Sequence, residues 1–186
     1  MNSRPSLDAS HPSLNQTILN MMAFHEGQVD KTGVAYFYHP LRVMLRLGDS
    51  ATDTEKHAAL LHDVVEDTTI TLEILRGLGY SEDVLEIVEL VSKREGETHH
   101  SFIYRIIGSR NTGAIRVKLA DMIDNSCESR LVGVEEGLAN DIRKMIESRY
   151  KPAIAMLRQM LEGMGATDDI RTEEIEVLTD VLGMYC

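Results

Sequence analysis

The segment Ala58-Ala-Leu-Leu-His-Asp-Val-Val-Glu-Asp-Thr68 sets a histidine beside an aspartate inside an apolar stretch. Burying either side chain without a partner is costly. A divalent metal suits both at once, taking an imidazole nitrogen and a carboxylate oxygen. Two further candidate ligands stand at His39 upstream and Asp121 downstream. The ordered set His39, His62, Asp63, Asp121 therefore points to a metal centre.

The surrounding pattern reads as helices. Apolar positions 58, 60, 61, 64 and 65 give residues 53–67 the spacing of one helix with a broad buried face. In that frame His62 and Glu66 share a face, as do Asp63 and Asp67. Asp121, Asp124 and Asn125 repeat the theme on a later helix, Ala114 to Asn125, whose apolar face is Ile115, Leu119, Met122 and Ile123. Two polar clusters on two otherwise apolar helices predict one shared cleft.

Punctuation marks the other elements. Ser13 and Gln16 have capping-box spacing for a helix running to about Gly27. Lys31 to Tyr38 reads as a loop, and His39-Pro40 opens a helix that Gly48 ends. Further helices are expected up to Gly77, from Ser81 to Val91, and from Thr98 to about Ile107. A turn is expected at Gly108–Gly113, then a long helix from about Gly133 to Gly163 with a kink or break near Tyr150 ahead of Pro152. Thr172–Gly183 reads as a last short helix. No strand is predicted. The fold class is all-α, with about eight or nine helices in one domain: a core over about 13–130 and C-terminal helices over 134–186.

Composition narrows the partners. With 19 basic against 30 acidic residues, a net charge of −11, the chain is a poor non-specific ligand for nucleic-acid polymers. A few basic side chains in one cleft still suffice for a small phosphorylated ligand. Trp is absent, so Leu, Ile, Val, Met and Ala must fill the core, and the ten Met residues read as core filler. Cys127 and Cys186 show no framework spacing and read as free thiols of a reducing compartment. No signal-like or membrane-spanning run is visible, so a cytoplasmic location is expected. The sequence sets neither a monomer nor a homo-oligomer. His11, His25 and His57 read as peripheral or solvated; His99-His100 reads as surface or capping, with a place in the cleft as the alternative.

Three segments carry a family resemblance: Tyr36-Phe-Tyr-His-Pro-Leu-Arg-Val43, Ala58 to Thr68, and Val117-Lys-Leu-Ala-Asp-Met-Ile-Asp-Asn125. In order and spacing the chain resembles the HD-domain metal-dependent phosphohydrolases, in particular the hydrolase domain of RelA/SpoT-type (p)ppGpp enzymes and their small stand-alone relatives. The resemblance implies a compact HD-type bundle in which His39, His62, Asp63 and Asp121 hold one divalent metal, usually manganese. Fe, Co, Ni and Zn suit the same donors. It implies that Glu66 and Asp67 position or activate the attacking water and that Asn125 helps hold a nucleotide. The implied reaction removes the 3′-pyrophosphate from (p)ppGpp; some small relatives act instead on NADPH, and a deoxynucleotide or a non-catalytic metal- or nucleotide-binding role are the remaining alternatives.

Candidate phosphate-holding cations are Lys31, Arg42, Lys93, Arg94 and Lys118, and Tyr36, Tyr38 and Tyr104 could flank a base or pack in the core. The family's first loop carries two consecutive basic residues; here that pair is Asp30-Lys31. No synthetase domain is expected after residue 186, and so no alarmone synthesis.

Overall fold

A single helix, α8 (Thr112–Asn125), runs through the middle of the protein, with every side chain from Ala114 to Asp124 buried. Residues 11–175 are described in the computed structural model. Around α8 stand α1 (Leu14–Phe24), α2 (Tyr38–Arg46), α3 (Asp53–Leu61), α4 (Val64–Asp67), α5 (Leu72–Gly77), α6 (Glu82–Val91), α7 (His99–Ser109), α9 (Glu136–Met145) and α10 (Lys151–Gly163). The central helix packs on α2, α3, α6, α7 and α10. The described residues contain no strand beyond one isolated bridge between Val29 and Ala35. The expected all-α class holds, and the helix number agrees once α9 and α10 are taken as one rod.

Side chains written in the sequence start these helices. Ser13, Thr52, Thr71, Ser81, Thr98 and Asn111 each accept a hydrogen bond from a backbone N–H of the first turn they precede. At Thr52 the capping box is complete, with Glu55 returning a bond to the cap. At Ser13 only half of it forms, because the Gln16 amide reaches forward to Asn20 instead. That helix stops at Phe24, short of Gly27. Gly48 takes φ +78 after α2, and a Cβ there would sit 2.4 Å from the Asp169 carbonyl, so both the dihedral and the close approach require glycine.

One difference from the sequence reading lies at residues 53–67. The helix is not continuous: α3 ends at Leu61, His62 and Asp63 form a turn, and α4 restarts at Val64. Both residues stay in the right-handed helical region, with φ −58 at His62 and φ −101 at Asp63, so the interruption is slight.

Four other expectations change. The turn expected at Gly108–Gly113 shrinks to Arg110 and Asn111, with Arg110 in the left-handed region and Asn111 capping α8. The predicted break ahead of Pro152 is absorbed by a π-turn at Ile146–Tyr150, which carries α9 into α10. Pro152 lacks an N–H and its ring crowds the preceding turn, so one wider turn accommodates it. The apolar face proposed for α8 is too narrow, because its polar side is buried as well. The last short helix is absent from Thr172 to Ile175, and its remainder lies outside the described residues, as does Cys186.

The core is aliphatic, built on Leu61, Val88, Ile106, Ile115, Leu119, Leu157 and Leu161. Buried charges in α8 are each paired. Arg116 bonds Glu55 at 2.8 Å and the Leu47 carbonyl at 2.7 Å. It also bonds Asp169 at 2.9 Å, closing the segment after α10 onto the loop after α2. No helix among the described residues is long and apolar enough to cross a membrane.

Candidate metal centre

Four donor atoms from three elements meet beside the Asn125 half of α8. His39 Nε2 lies 3.6 Å from Asp63 Oδ2 and 3.3 Å from Asp121 Oδ1. His62 Nε2 lies 2.8 Å from Asp63 Oδ2 and 3.8 Å from Asp121 Oδ1. Ligands bound at about 2.1 Å around one ion stand about 3–3.5 Å apart; the donor atoms of His39, His62 and Asp63 all lie within 4.8 Å of one another, and Asp121 joins them through its contacts with the two histidines. His62 Nε2 is buried and has no aligned hydrogen-bond partner among the described residues. An orphaned ring nitrogen among carboxylates is what a shared cation would satisfy. The donor set, two imidazoles and two carboxylates, fits a first-row divalent ion.

Electrostatics gives the same answer. Burial alone would lower the His39 pKa, but Asp121, Asp124 and Asp63 outweigh it and raise it to about 9. Burial would raise Asp63, yet His62 and His39 hold it below the usual carboxylate range. Burial likewise opposes the ionised form of Asp121, and Lys118, His39 and His62 hold it low. The carboxylates thus demand positive charge at this point.

The other ring atoms fix the two histidines. His62 Nδ1 is 2.7 Å from the Ala59 carbonyl and donates to it, which leaves Nε2 as the free acceptor. His39 Nδ1 is 2.8 Å from Asp124 Oδ2. Asp124 has no exposed surface and also accepts from Arg42 and Arg46. A carboxylate behind a histidine orients the ring toward a metal. The sequence places Asp124 only in a polar cluster; its role depends on partners on α2, some 80 residues away.

The centre opens into a cavity of about 480 Å³. Of the residues singled out from the sequence, Lys31, Glu66, Asp67, Lys93, Lys118 and Asn125 line it with His39, Asp63 and Asp121. Three do not. His62 is fully buried and off the lining. The Arg42 guanidinium is turned onto Asp124 at 3.0 Å, and exposed Arg94 lies outside the cavity, 3.9 Å from Glu89. Lys118 is buried, with Nζ 2.7 Å from Asp121 Oδ2 and 4.6 Å from the centre of the Phe102 ring. Asn125 donates to Asp121 Oδ1 at 2.5 Å.

Glu66 and Asp67 are exposed acids on the wall. Partial loss of hydration raises both pKa values above the ordinary range, with Asp63 adding to the effect. Glu66 Oε2 accepts from the Lys93 backbone N–H at 2.9 Å. Asp63 and Asp67 share a face as expected, and Tyr36 joins them: its hydroxyl donates to Asp63 at 2.5 Å and reaches Asp67 at 3.2 Å. Glu66 is turned onto Lys93. Of the three tyrosines, Tyr36 lines the cavity, while Tyr38 stacks on Phe37 and Tyr104 is exposed beside His100.

Three histidines also differ from their reading. His25 is buried against Tyr36 rather than peripheral, with its ring bonded to Gln28 at 2.8 Å. His57 is half-buried and bonded to Thr17 at 2.8 Å rather than solvated. His99 lines the cavity. Sequence reading also missed Arg130, which meets Asp30 at 2.8 Å across the cavity mouth. The charge complementarity of Asp30 is its only trace in sequence.

The stretch that builds this centre, residues 36–126, matches the family model described as HD domain. Residues 36–126 thus carry an HD domain. Over 110 residues it is 36% identical to a guanosine-3′,5′-bis(diphosphate) 3′-pyrophosphohydrolase of Aquifex aeolicus, spanning 54% of this chain and 15% of that protein. It is 34% identical over 124 residues to the bifunctional (p)ppGpp synthase/hydrolase SpoT of Escherichia coli, spanning 60% of this chain and 17% of that one. The chain thus spans less than a fifth of the length of these curated relatives. A solved structure of a metazoan ortholog of SpoT, described as hydrolysing ppGpp, matches with a TM-score of 0.57 at 21% identity. That match covers 89% of this chain and 100% of the other, and shows the shared fold.

Proposed function

We propose that the protein is a metal-dependent phosphohydrolase that removes the 3′-pyrophosphate from (p)ppGpp, with manganese as its ion. The observation that carries this reading is the convergence of His39, Asp63 and Asp121 at the wall of a cavity, with buried His62 against Asp63, where two acids and several cations also stand. The names of the relatives support the substrate.

A divalent ion held by these four residues supplies Lewis acidity, lowering the pKa of water and offsetting charge on the phosphoryl oxygens. Asp124 and the Ala59 carbonyl keep both imidazoles in the ligating tautomer. Glu66 and Asp67, with raised pKa values, orient the attacking water and accept its proton. Tyr36 holds Asp63 and Asp67 at a fixed separation. Lys31, Lys93 and Lys118 face the phosphates, and Asn125 holds Asp121 while bordering the nucleotide.

A second reading keeps the chemistry and changes the nucleotide to NADPH or a deoxynucleotide. Asp30 favours it, since its carboxylate is engaged with Arg130 at a position where the family resemblance implies a basic residue.

Product analysis with Mn²⁺ on ppGpp, pppGpp, NADPH and deoxynucleotides, beside Asp63→Ala, separates these readings. Pyrophosphate released from ppGpp by the wild type alone is the expected result. Phosphate or pyrophosphate from another nucleotide selects the second reading. Tight nucleotide binding without turnover, or full activity in Asp63→Ala, overturns the assignment.

A further inference from the structure

The segment after α10 is tied to the rear of the metal centre through one buried arginine. Arg46 lies in the last turn of α2 and is 1% exposed. Its Nε donates to Asp124 Oδ1 at 3.0 Å. Its Nη1 donates to the carbonyls of Arg171 and Glu173 at 3.1 and 3.0 Å. The Arg46 carbonyl in turn accepts from the Arg171 N–H at 2.8 Å. One residue therefore grips this strap by backbone and side chain, and grips Asp124 with the same guanidinium.

The strap has an anchor of its own. Asp169 accepts from the Ser50 N–H and hydroxyl at 2.9 and 2.8 Å and from Arg116 at 2.9 Å. Ile170 beside it is buried in the core. Arg42, one turn earlier on α2, also donates to Asp124, but among the described residues its side chain bonds nothing else. The contrast separates two tasks. Either cation offsets the buried carboxylate, but Arg46 alone bridges it to the strap. A guanidinium holds its donors in a rigid planar fork. With Nη1 held by two carbonyls, Nε cannot follow a shift of Asp124 without giving up a bond. The carboxylate is rigid as well, so the hold on Oδ1 orients Oδ2, which meets His39 Nδ1 at 2.8 Å.

We propose that Arg46 is a positioning residue for the metal centre: the strap at residues 167–173 sets its guanidinium, the guanidinium sets Asp124, and Asp124 sets the ring of His39. Metal affinity then depends on a segment that does not line the cavity. The inference rests on the reading of His39 as a metal ligand.

The test is a double-mutant cycle on the full chain, which isolates the coupling between two sites. Asp169→Ala releases the strap's anchor and leaves Arg46, Asp124 and the four candidate ligands in place. Changes behind a ligating histidine cost about 10–100-fold in metal affinity, so Mn²⁺ affinity by calorimetry should fall about tenfold in Asp169→Ala. It should fall in Arg46→Met as well, and adding Asp169→Ala to Arg46→Met should lower it no further. Unchanged affinity in Asp169→Ala, or a full second loss in the double variant, overturns the proposal. Glu97→Gln, which weakens the fold elsewhere, should keep wild-type affinity; an equal loss there would make the effect one of general stability and also overturn it. Asp169→Asn, which retains the shape, takes the place of Asp169→Ala if that variant does not fold.

A second readout needs no metal. In the chelated protein the His39 Nδ1–H is shielded by its bond to buried Asp124, and its solvent exchange by imidazole NMR should quicken several-fold in Asp169→Ala. An equal rate overturns the proposal. If exchange quickens while the wild type binds no Mn²⁺, the strap's hold on His39 stands and the metal reading fails.

Discussion

Asp124, which has no exposed surface, accepts from His39 Nδ1 at 2.8 Å, and through Arg42 and Arg46 it ties the metal-facing ring of α2 to α8. The carboxylate never reaches the cavity, yet it sets where a metal ligand points. The polar cluster at the end of α8 is therefore two layers, with Asp121 in front and Asp124 behind.

Replacing that rear layer should weaken metal binding without removing a ligand. Asp124→Asn retains the shape but offers the ring and both guanidinium groups a neutral partner. Metal affinity should fall about 10–100-fold. Calorimetric titration with Mn²⁺ checks this, and an unchanged affinity would mean His39 is oriented by something else.

The two wall acids should separate catalysis from metal binding. Glu66→Gln and Asp67→Asn leave all four candidate ligands in place. If either acid handles the proton, kcat should drop about 10²–10⁴-fold while Mn²⁺ affinity holds. Equal losses in affinity and rate would make that acid a ligand.

The loop before α7 should weaken in acid. The Arg105 hydrogen bond holds the Glu97 pKa down at about 2, below its ordinary value of 4.5. Arg105 also bonds the Leu90 and Ser92 carbonyls at 3.0 and 2.9 Å. Because the folded pKa is depressed, the contribution is present above the unfolded value and is lost as pH falls from about 4.5 toward 2. Urea unfolding across that window should show a smaller loss in Glu97→Gln than in wild type; identical pH slopes would contradict the pairing.

Arg116 should be the most costly single charge to delete outside the metal centre. Arg116→Ala leaves Glu55 buried without its 2.8 Å partner and frees the Leu47 carbonyl and Asp169. Breaking a buried pair from one side costs about 3–5 kcal/mol. Chemical denaturation measures it, and a change under about 1 kcal/mol, the range of an exposed pair, would mean the pair is effectively solvated.

Much of the helical layout was legible in short-range sequence. Ser81 and Thr98 announced the helix starts that the structure shows, because a cap bonds an N–H only two or three residues on. His62 and Asp63 were legible as a pair because hydrophobic neighbours make their polarity conspicuous. The turn they form between α3 and α4 was not, because it belongs to a site completed by His39 and Asp121, residues distant in the chain. Arg42 shows the converse case, a cation suited to phosphate by type that the fold turns onto Asp124.

The sequence by itself determined the all-α class, the helix starts and the residue types of a metal centre, since periodicity and capping act over a few residues. Only the tertiary structure decided which donors face one point, that Asp124 stands behind His39, that Tyr36 spans two carboxylates, and that Arg46 joins Asp124 to the segment after α10. Those outcomes depend on the packing of α2, α4 and that segment around α8. Packing joins residues up to 127 positions apart through distances of about 3 Å, which no local pattern encodes.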